Sequence, residues 1–186
     1  MNEEIEYRST DFSTQSLKDQ TFSECSFYNC NFSESVWHNA IFKFCKFFDC
    51  NLSLVKVDSC RLQEVQFYKC KIIGVDFFKC DKKLFSIGVE GCFLHYCNFS
   101  GLGLKKTVFA ESKLRECHFT ETVLTEANFR NADLSGSTFH DCDLTKADFR
   151  GAIQYDLDPQ VNKVKKARFS LPEAITLLRS FDILIE

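Results

Sequence analysis

The sequence predicts an all-β protein, a four-sided parallel β-helix followed by a short C-terminal helix. Three observations predict it: bulky apolar residues recur at every fifth position, small residues lie two positions before them, and only 2 of 186 residues are Pro. An α-helix would smear every fifth residue around its axis, and a flat strand alternates every second residue, so neither has this period. Two inward positions in five, then a corner, describe one side of a square coil. Four sides make a repeating turn of about twenty residues.

The bulky set starts at Phe12, Leu17, Phe22, Phe27, Phe32, Trp37 and Phe42 and keeps one register to Phe77. It slips by two residues near Asp81–Leu84, resumes as Leu84, Val89, Leu94 and Phe99, and runs to Phe149. Spread over four sides, these centres predict about seven coils and, at ~4.8 Å per step, a rod about 34 Å long. The slip reads as a bulge or small loop at a coil corner, because Lys82 would otherwise point inward, which is costly for a charge. Gly88, Gly91, Gly101 and Gly103 follow it closely.

The small set includes Cys25, Cys30, Ser35, Ala40, Cys45, Cys50, Cys117, Ala127 and Cys142, and all 11 Cys fall on this inward site. Cys packs there as a small hydrophobe. Cys30, Cys50 and Cys70 lie twenty apart and stack in one column. Such a column is not the tetrahedron of a zinc site, no CxxC pair occurs, and uniform interior thiols suit a reducing compartment. No metal or other cofactor is expected.

After Gly151 the repeat fades, and Ala167 and Phe169 restore it for one side. The stretch Tyr155–Lys166 reads as an excursion with a turn at Asp158-Pro159. Ser170 and Glu173 have capping-box spacing, and the helix after them carries Ala174, Ile175, Leu177, Leu178 and Phe181. Ile183, Leu184 and Ile185 read as a short apolar strand. The expected organisation is residues 1–9 as an N-terminal cap, 10–151 as the β-helix, and 152–186 as excursion, helix and capping segment. An open solenoid end exposes core and unpaired ladder groups, which the tail is expected to cover. Leu177, Leu178 and Phe181 are also the expected contact with a second chain about a two-fold axis.

The segments Ala127-Asn128-Phe129, Ala132-Asp133-Leu134 and Ala147-Asp148-Phe149 resemble the A(D/N)LXX pattern of the pentapeptide-repeat family, over roughly residues 10–151. That resemblance implies a right-handed quadrilateral parallel β-helix. The Ser-Leu-Pro-Glu-Ala helix start and apolar terminus look like the quinolone-resistance branch, of Qnr and MfpA type. This narrower resemblance implies a homodimer joined through its C-terminal segment. It also implies binding to DNA gyrase or topoisomerase IV by imitating duplex DNA, with resistance to fluoroquinolones as the result.

Net charge is −3 and evenly spread along the chain, which disfavours direct nucleic-acid binding. Met1–Thr10 has three Glu and no apolar run, and no stretch approaches a membrane span, so a cytoplasmic location without membrane contact is expected. His38, His95, His118 and His140 all fall at outward positions, while Cys117 points inward, so Cys117 and His118 cannot pair as nucleophile and base. With no phosphate loop either, an enzyme is not expected.

Two surfaces stand out as candidates for a protein partner. Tyr28, Phe48 and Tyr68 follow core residues at twenty-residue intervals and form an outward aromatic ladder, and Phe44, Phe78 and Tyr96 are also outward. Glu111, Glu116, Glu121 and Glu126 take one corner position on four successive sides and ring one coil, with Asp133, Asp141, Asp143 and Asp148 in the next. Lys105, Lys106, Lys113, Arg115, Arg130 and Lys146 are interleaved with them. The acidic ring suits imitation of DNA phosphates. The aromatic ladder suits a general protein-interaction scaffold.

Overall fold

Each side of the coil solves one local problem, which is how to turn a corner every five residues without orphaning backbone groups. A computed structural model describes residues 2–181 and 183. The chain winds as a right-handed quadrilateral parallel β-helix. We number its sides by their buried centres. Side 1 carries Phe22, Phe42 and Leu62, and side 2 carries Phe27, Phe47 and Phe67. Side 3 carries Phe32, Leu52 and Ile72, and side 4 carries Trp37, Val57 and Phe77. Strands of two to four residues pair in parallel with the coil twenty residues on, as in Phe22 with Phe42 and Phe42 with Leu62. Across the slip the offset becomes twenty-two, pairing Phe67 with Val89 and Ile72 with Leu94.

The residue two after most centres sits in the left-handed region, as Thr14 (φ 58°), Leu54 (60°) and Glu116 (50°) do, while Phe77 instead opens a 3₁₀ turn. That conformation costs roughly 1–2 kcal/mol for an L-residue. Side chains at the position before the centre offset part of it by capping the turn. Asn98 Oδ1 accepts from the Ser100 N–H at 2.9 Å, and Asp143 Oδ1 accepts from Thr145 N–H at 3.0 Å. Asp and Asn are favoured there because a short side-chain oxygen reaches an amide two residues on.

The small inward site also bonds. Cys45 Sγ lies 3.3 Å from the Lys43 carbonyl and 3.5 Å from that of Phe22, one coil earlier. At equivalent places Ser112 Oγ donates to the Val89 carbonyl at 2.8 Å and accepts from Cys92 N–H at 3.0 Å. The Cys column continues into Cys92, with Cys30 N–H on Cys50 Sγ and Cys70 N–H on Cys92 Sγ. Cys is therefore both a small apolar filler and a weak donor that satisfies corner carbonyls. All eleven thiols are free and buried. Burial pushes the Cys45 thiol up to about 12, which removes its thiolate at neutral pH.

Core residues stack in columns at the ladder spacing. On side 2, Tyr7, Phe27, Phe47 and Phe67 follow one another with ring centroids 4.9, 4.6 and 5.0 Å apart. Below the slip, Phe109–Phe129–Phe149 on side 2 faces Phe99–Phe119–Phe139 on side 4. The two columns meet edge to face, Phe119 and Phe129 at 89° and 6.3 Å. Leu114 and Leu134 fill side 3, and Leu104, Leu124 and Leu144 fill side 1. Where one layer is aromatic throughout (Phe27, Phe32, Trp37, Phe42), the indole N–H donates to Ser35 Oγ at 2.9 Å. Ser35 in turn donates to the Phe32 carbonyl at 2.7 Å. The Ser at that small site is explained by the Trp beside it.

Four expectations need correction. Leu84 does not resume the core register: it lies at a corner with φ 62° and is 62% exposed, whereas Phe85 is 7% exposed. Lys82 swings outward, as its charge requires, and the Phe85 ring takes the vacated place on side 1 within 6.5 Å of Phe77. The coil also begins earlier than residue 10, since Asn2 pairs with Phe22 and Tyr7 with Phe27, so residues 2–9 form strands of a first partial coil rather than a separate cap. At the other end the excursion is shorter than Tyr155–Lys166. Asp156 bridges to Thr138 and Lys163 to Asp143, while Tyr155 and Leu157 are buried, leaving a turn around residues 159–162. There Asn162 occupies the small site and bonds Cys142 N–H and the Phe139 carbonyl. Finally, Ser170 Oγ accepts from Gly151 N–H at 2.9 Å, and among the described residues it makes no bond to the first turn of the C-terminal helix. That helix, Glu173–Phe181, is of 3₁₀ type, and Leu184 and Ile185 of the expected strand lie outside the described residues.

Two outcomes follow. Phe85→Ala should destabilise by about 3–5 kcal/mol in urea unfolding, and Leu84→Ala by no more than about 0.5 kcal/mol. An aromatic-thiol disulfide reagent should leave the native thiols unmodified over minutes and react with all of them once urea unfolds the coil.

Candidate partner surfaces

The outward positions of a rigid coil are also ordered in columns, so sequence spacing becomes surface pattern. On side 2 the column next to the core residues reads Arg8, Tyr28, Phe48, Tyr68, Glu90. The three rings stack, Tyr28 to Phe48 at 4.9 Å and 6°, and Phe48 to Tyr68 at 5.0 Å and 12°. The Arg8 guanidinium lies 4.3 Å above the Tyr28 ring and closes the stack at its N-terminal end. The rings are half-buried by one another, so one flank of the stack remains open. Phe44, Phe78 and Tyr96 are exposed at other edges and do not join it.

Glu111, Glu116, Glu121 and Glu126 each occupy a left-handed corner, with φ of 57°, 50°, 52° and 60°. Being on four different edges, they do not converge. Glu126 is bracketed by Lys106 at 3.8 Å and Lys146 at 3.7 Å. Glu116 and Glu121 flank side 4, and there the coil gathers further acid. Asp141 lies on the edge below Glu121, and Asp156 and Asp158 come onto the same side one coil later. The remaining outward residues of this patch are His118, Thr120, Thr138 and His140, so the C-terminal half of side 4 bears carboxylates and no Lys or Arg. His140 Nδ1 is 3.0 Å from Asp141, and His118 Nδ1 is 3.1 Å from Thr138 Oγ1. Gly136 has φ 69°, and a Cβ there would meet the Glu116 carboxylate at 2.6 Å, so this glycine makes room for the acid as well as for the corner.

Sequence spacing named Asp141 but missed Asp156 and Asp158. Between Ile153 and Asp156 the ladder offset drops from twenty to eighteen residues, and this shortening carries both aspartates onto side 4. The signal is the acid on both flanks of Leu157, which a register of twenty does not place on side 4. Among the described residues no group of His, Cys, Asp and Glu has the arrangement of a metal site.

The C-terminal helix turns Leu177 onto the core and leaves Ile175, Leu178 and Phe181 exposed, Phe181 by 50%. Gln160 Nε2 donates to the Ser180 carbonyl at 2.8 Å, tying the helix to the turn before it. Tyr155 packs between Phe149 and Phe169, and burial, then the nearby Glu173 charge, pushes its hydroxyl up to about 12.

The turn-capping aspartates set the acid limit of the fold. Burial opposes ionisation of Asp133, yet bonds from Ser135 and the Arg115 guanidinium at 2.8 Å hold its carboxyl below the ordinary value. Thr145 does the same for Asp143, and Arg150 for Asp148. A carboxyl depressed in the folded state stabilises above its unfolded value, near 4, and loses that contribution as pH falls through the folded value. The urea midpoint should therefore be flat from pH 7 to about 5 and fall steadily below 4; a midpoint unchanged down to pH 2.5 would contradict these caps.

Comparison with known proteins agrees with this geometry. The family described as pentapeptide repeats matches residues 97–141 and 112–151, and the pentapeptide repeat region model matches residues 20–89. Two trypsin-treated structures of QnrB1, a plasmid-mediated fluoroquinolone resistance protein, share the fold. One has a TM-score of 0.60 at 20% identity, covering 100% of this chain and 91% of that one. The other has 0.60 at 21%, covering 99% and 89%. HetL, a pentapeptide repeat protein involved in heterocyst differentiation regulation in the cyanobacterium Nostoc sp., gives 0.45 at 16%, covering 89% and 85%. No curated protein matches the chain by sequence. No helix among the described residues is long and apolar enough to cross a membrane. Ladder, corner chemistry and both matched segments agree: the chain belongs to the pentapeptide-repeat family.

Proposed function

We propose that this protein is a non-catalytic binder of DNA gyrase or topoisomerase IV that presents the acidic side of its C-terminal half where duplex DNA would lie, and so lowers sensitivity to fluoroquinolones. The carrying observation is the side 4 surface. Glu116, Glu121, Asp141, Asp156 and Asp158 lie on successive coils of this side and its two edges, with no Lys or Arg among them. Carboxylates fixed at coil steps of ~4.8 Å offer a basic channel regularly spaced negative charge without the conformational cost of ordering a loop. The full-length likeness in fold to QnrB1, a fluoroquinolone resistance protein, supports the same reading. The eleven packed free thiols fit a reducing, cytoplasmic setting. Leu178 and Phe181, with Leu177 behind them, would join two chains through their C-terminal helices.

A second reading has its own observation. The Arg8–Tyr28–Phe48–Tyr68 stack is an ordered aromatic strip far along the rod from the acidic patch. It would serve a scaffold whose partner is not a topoisomerase.

A gyrase supercoiling assay with and without ciprofloxacin separates the two. On the first reading, micromolar protein alters supercoiling or relieves drug inhibition. Glu116→Gln with Glu121→Gln, Asp141→Asn and Asp156→Asn then weakens the effect at least tenfold, while Tyr28→Ser with Phe48→Ser and Tyr68→Ser leaves it intact. No effect of the unaltered protein at micromolar concentration rejects the topoisomerase reading.

A further inference from the structure

Whole-chain charge hides a strong asymmetry in the C-terminal half. Side 2, opposite the acidic side 4, and side 1, which adjoins it along the Glu121–Asp141 edge, carry the cations of the same coils. Lys105, Lys106, Lys146, Lys163, Lys165 and Lys166 lie on side 1 and its edge, and Arg130, Arg150 and Arg168 on side 2. Of the carboxylates among them, Glu126 is shared by Lys106 and Lys146, Asp148 is bound by Arg150 at 2.6 Å, and Asp143 caps its own turn through Thr145 beside Lys163. Lys165, Lys166, Arg130 and Arg168 make no ion pair among the described residues. An open hollow of about 420 Å³ lies between the two sides, lined by Glu126, Asn128, Arg130, Lys146, Asp148 and Arg168.

We infer that this basic strip binds the phosphodiester backbone of a single-stranded nucleic acid, with one phosphate seated in the hollow between Arg130, Lys146 and Arg168. Lys146 and Lys166 follow one another in one column and Arg130 and Arg150 in the next, each pair one coil step of ~4.8 Å apart, and a flexible linear polyanion can adjust its phosphate spacing to cations so placed. A second copy's side 4 is the competing occupant. It would join unlike faces, and such a heterologous contact gives rings or filaments rather than the two-fold pair proposed through the C-terminal helix. The strip is centred on the edge between sides 1 and 2 and is independent of the topoisomerase reading, which uses side 4.

The test is fluorescence anisotropy of a labelled fifteen-residue oligothymidine at 50 and 200 mM salt, using the full chain. Engagement of about three phosphates predicts a roughly 20-fold loss of affinity over that range. Arg130→Glu with Lys146→Glu and Arg168→Glu should abolish binding, and so should the exposed pair Lys165→Glu with Lys166→Glu if the triple variant does not fold. Lys43→Glu with Lys46→Glu and Lys69→Glu, an equal charge change in the N-terminal half, should retain it. No salt-dependent binding at 50 mM, or equal loss in the control, overturns the inference. It is also overturned if strip reversal instead removes a concentration-dependent self-association seen by sedimentation without nucleic acid.

Discussion

The structure depends on a match between two spacings. A parallel ladder steps by ~4.8 Å, and offset-stacked aromatic rings prefer centroids from 4.5 Å upward. The Phe columns here repeat at 4.6 to 5.2 Å, so one translation satisfies backbone hydrogen bonds and side-chain stacking together. Each ring pair adds about 0.5–1.5 kcal/mol beyond area burial. That surplus helps offset corners that place one residue in five at unfavourable φ. Any residue that breaks the translation has to be expelled or replaced, as Lys82 is by Phe85.

The same translation converts sequence into surface. Outward residues twenty apart share a column, so patches of one chemistry extend along the rod instead of being assembled from distant loops. The Tyr28–Phe48–Tyr68 stack and the Lys146–Lys166 edge arise in this way. A charge count along the chain averages over four sides and reports near neutrality, whereas the same charges sorted by side give an acidic and a basic flank. The Glu111–Glu126 series shows the converse. A run regular in sequence at intervals of five is dispersed in space, because each step of five turns a corner.

Most of the fold was legible because the core period survives wherever the offset is twenty. The bulky columns, the small inward Cys and the outward aromatics could all be placed by counting. The errors sit where the offset changes. Leu84 and Phe85 are both apolar, and only the geometry of the bulge decides which enters; spacing alone favoured the wrong one. Shortening before Asp156 moved Tyr155 into the core and two aspartates onto side 4. The partial coil at residues 2–9 is hidden in the sequence because Asn2, a small polar residue, stands at a centre position opposite Phe22. Ser170 had capping-box spacing but lay close to Gly151 N–H in the preceding coil, a contact that local sequence does not encode.

The direct test of the account is the rise per twenty residues. Outward Ser33 and Ser135 lie on side 3, five coils apart, and the native thiols are buried, so nitroxides can be placed selectively on Ser33→Cys with Ser135→Cys. Pulsed electron-spin distance measurement should give a narrow distribution centred near 24 Å, plus the reach of the labels, although about a hundred residues separate the sites. A broad distribution, or one centred beyond about 45 Å, would mean that the chain does not stack coil on coil, and both charged flanks would go with it.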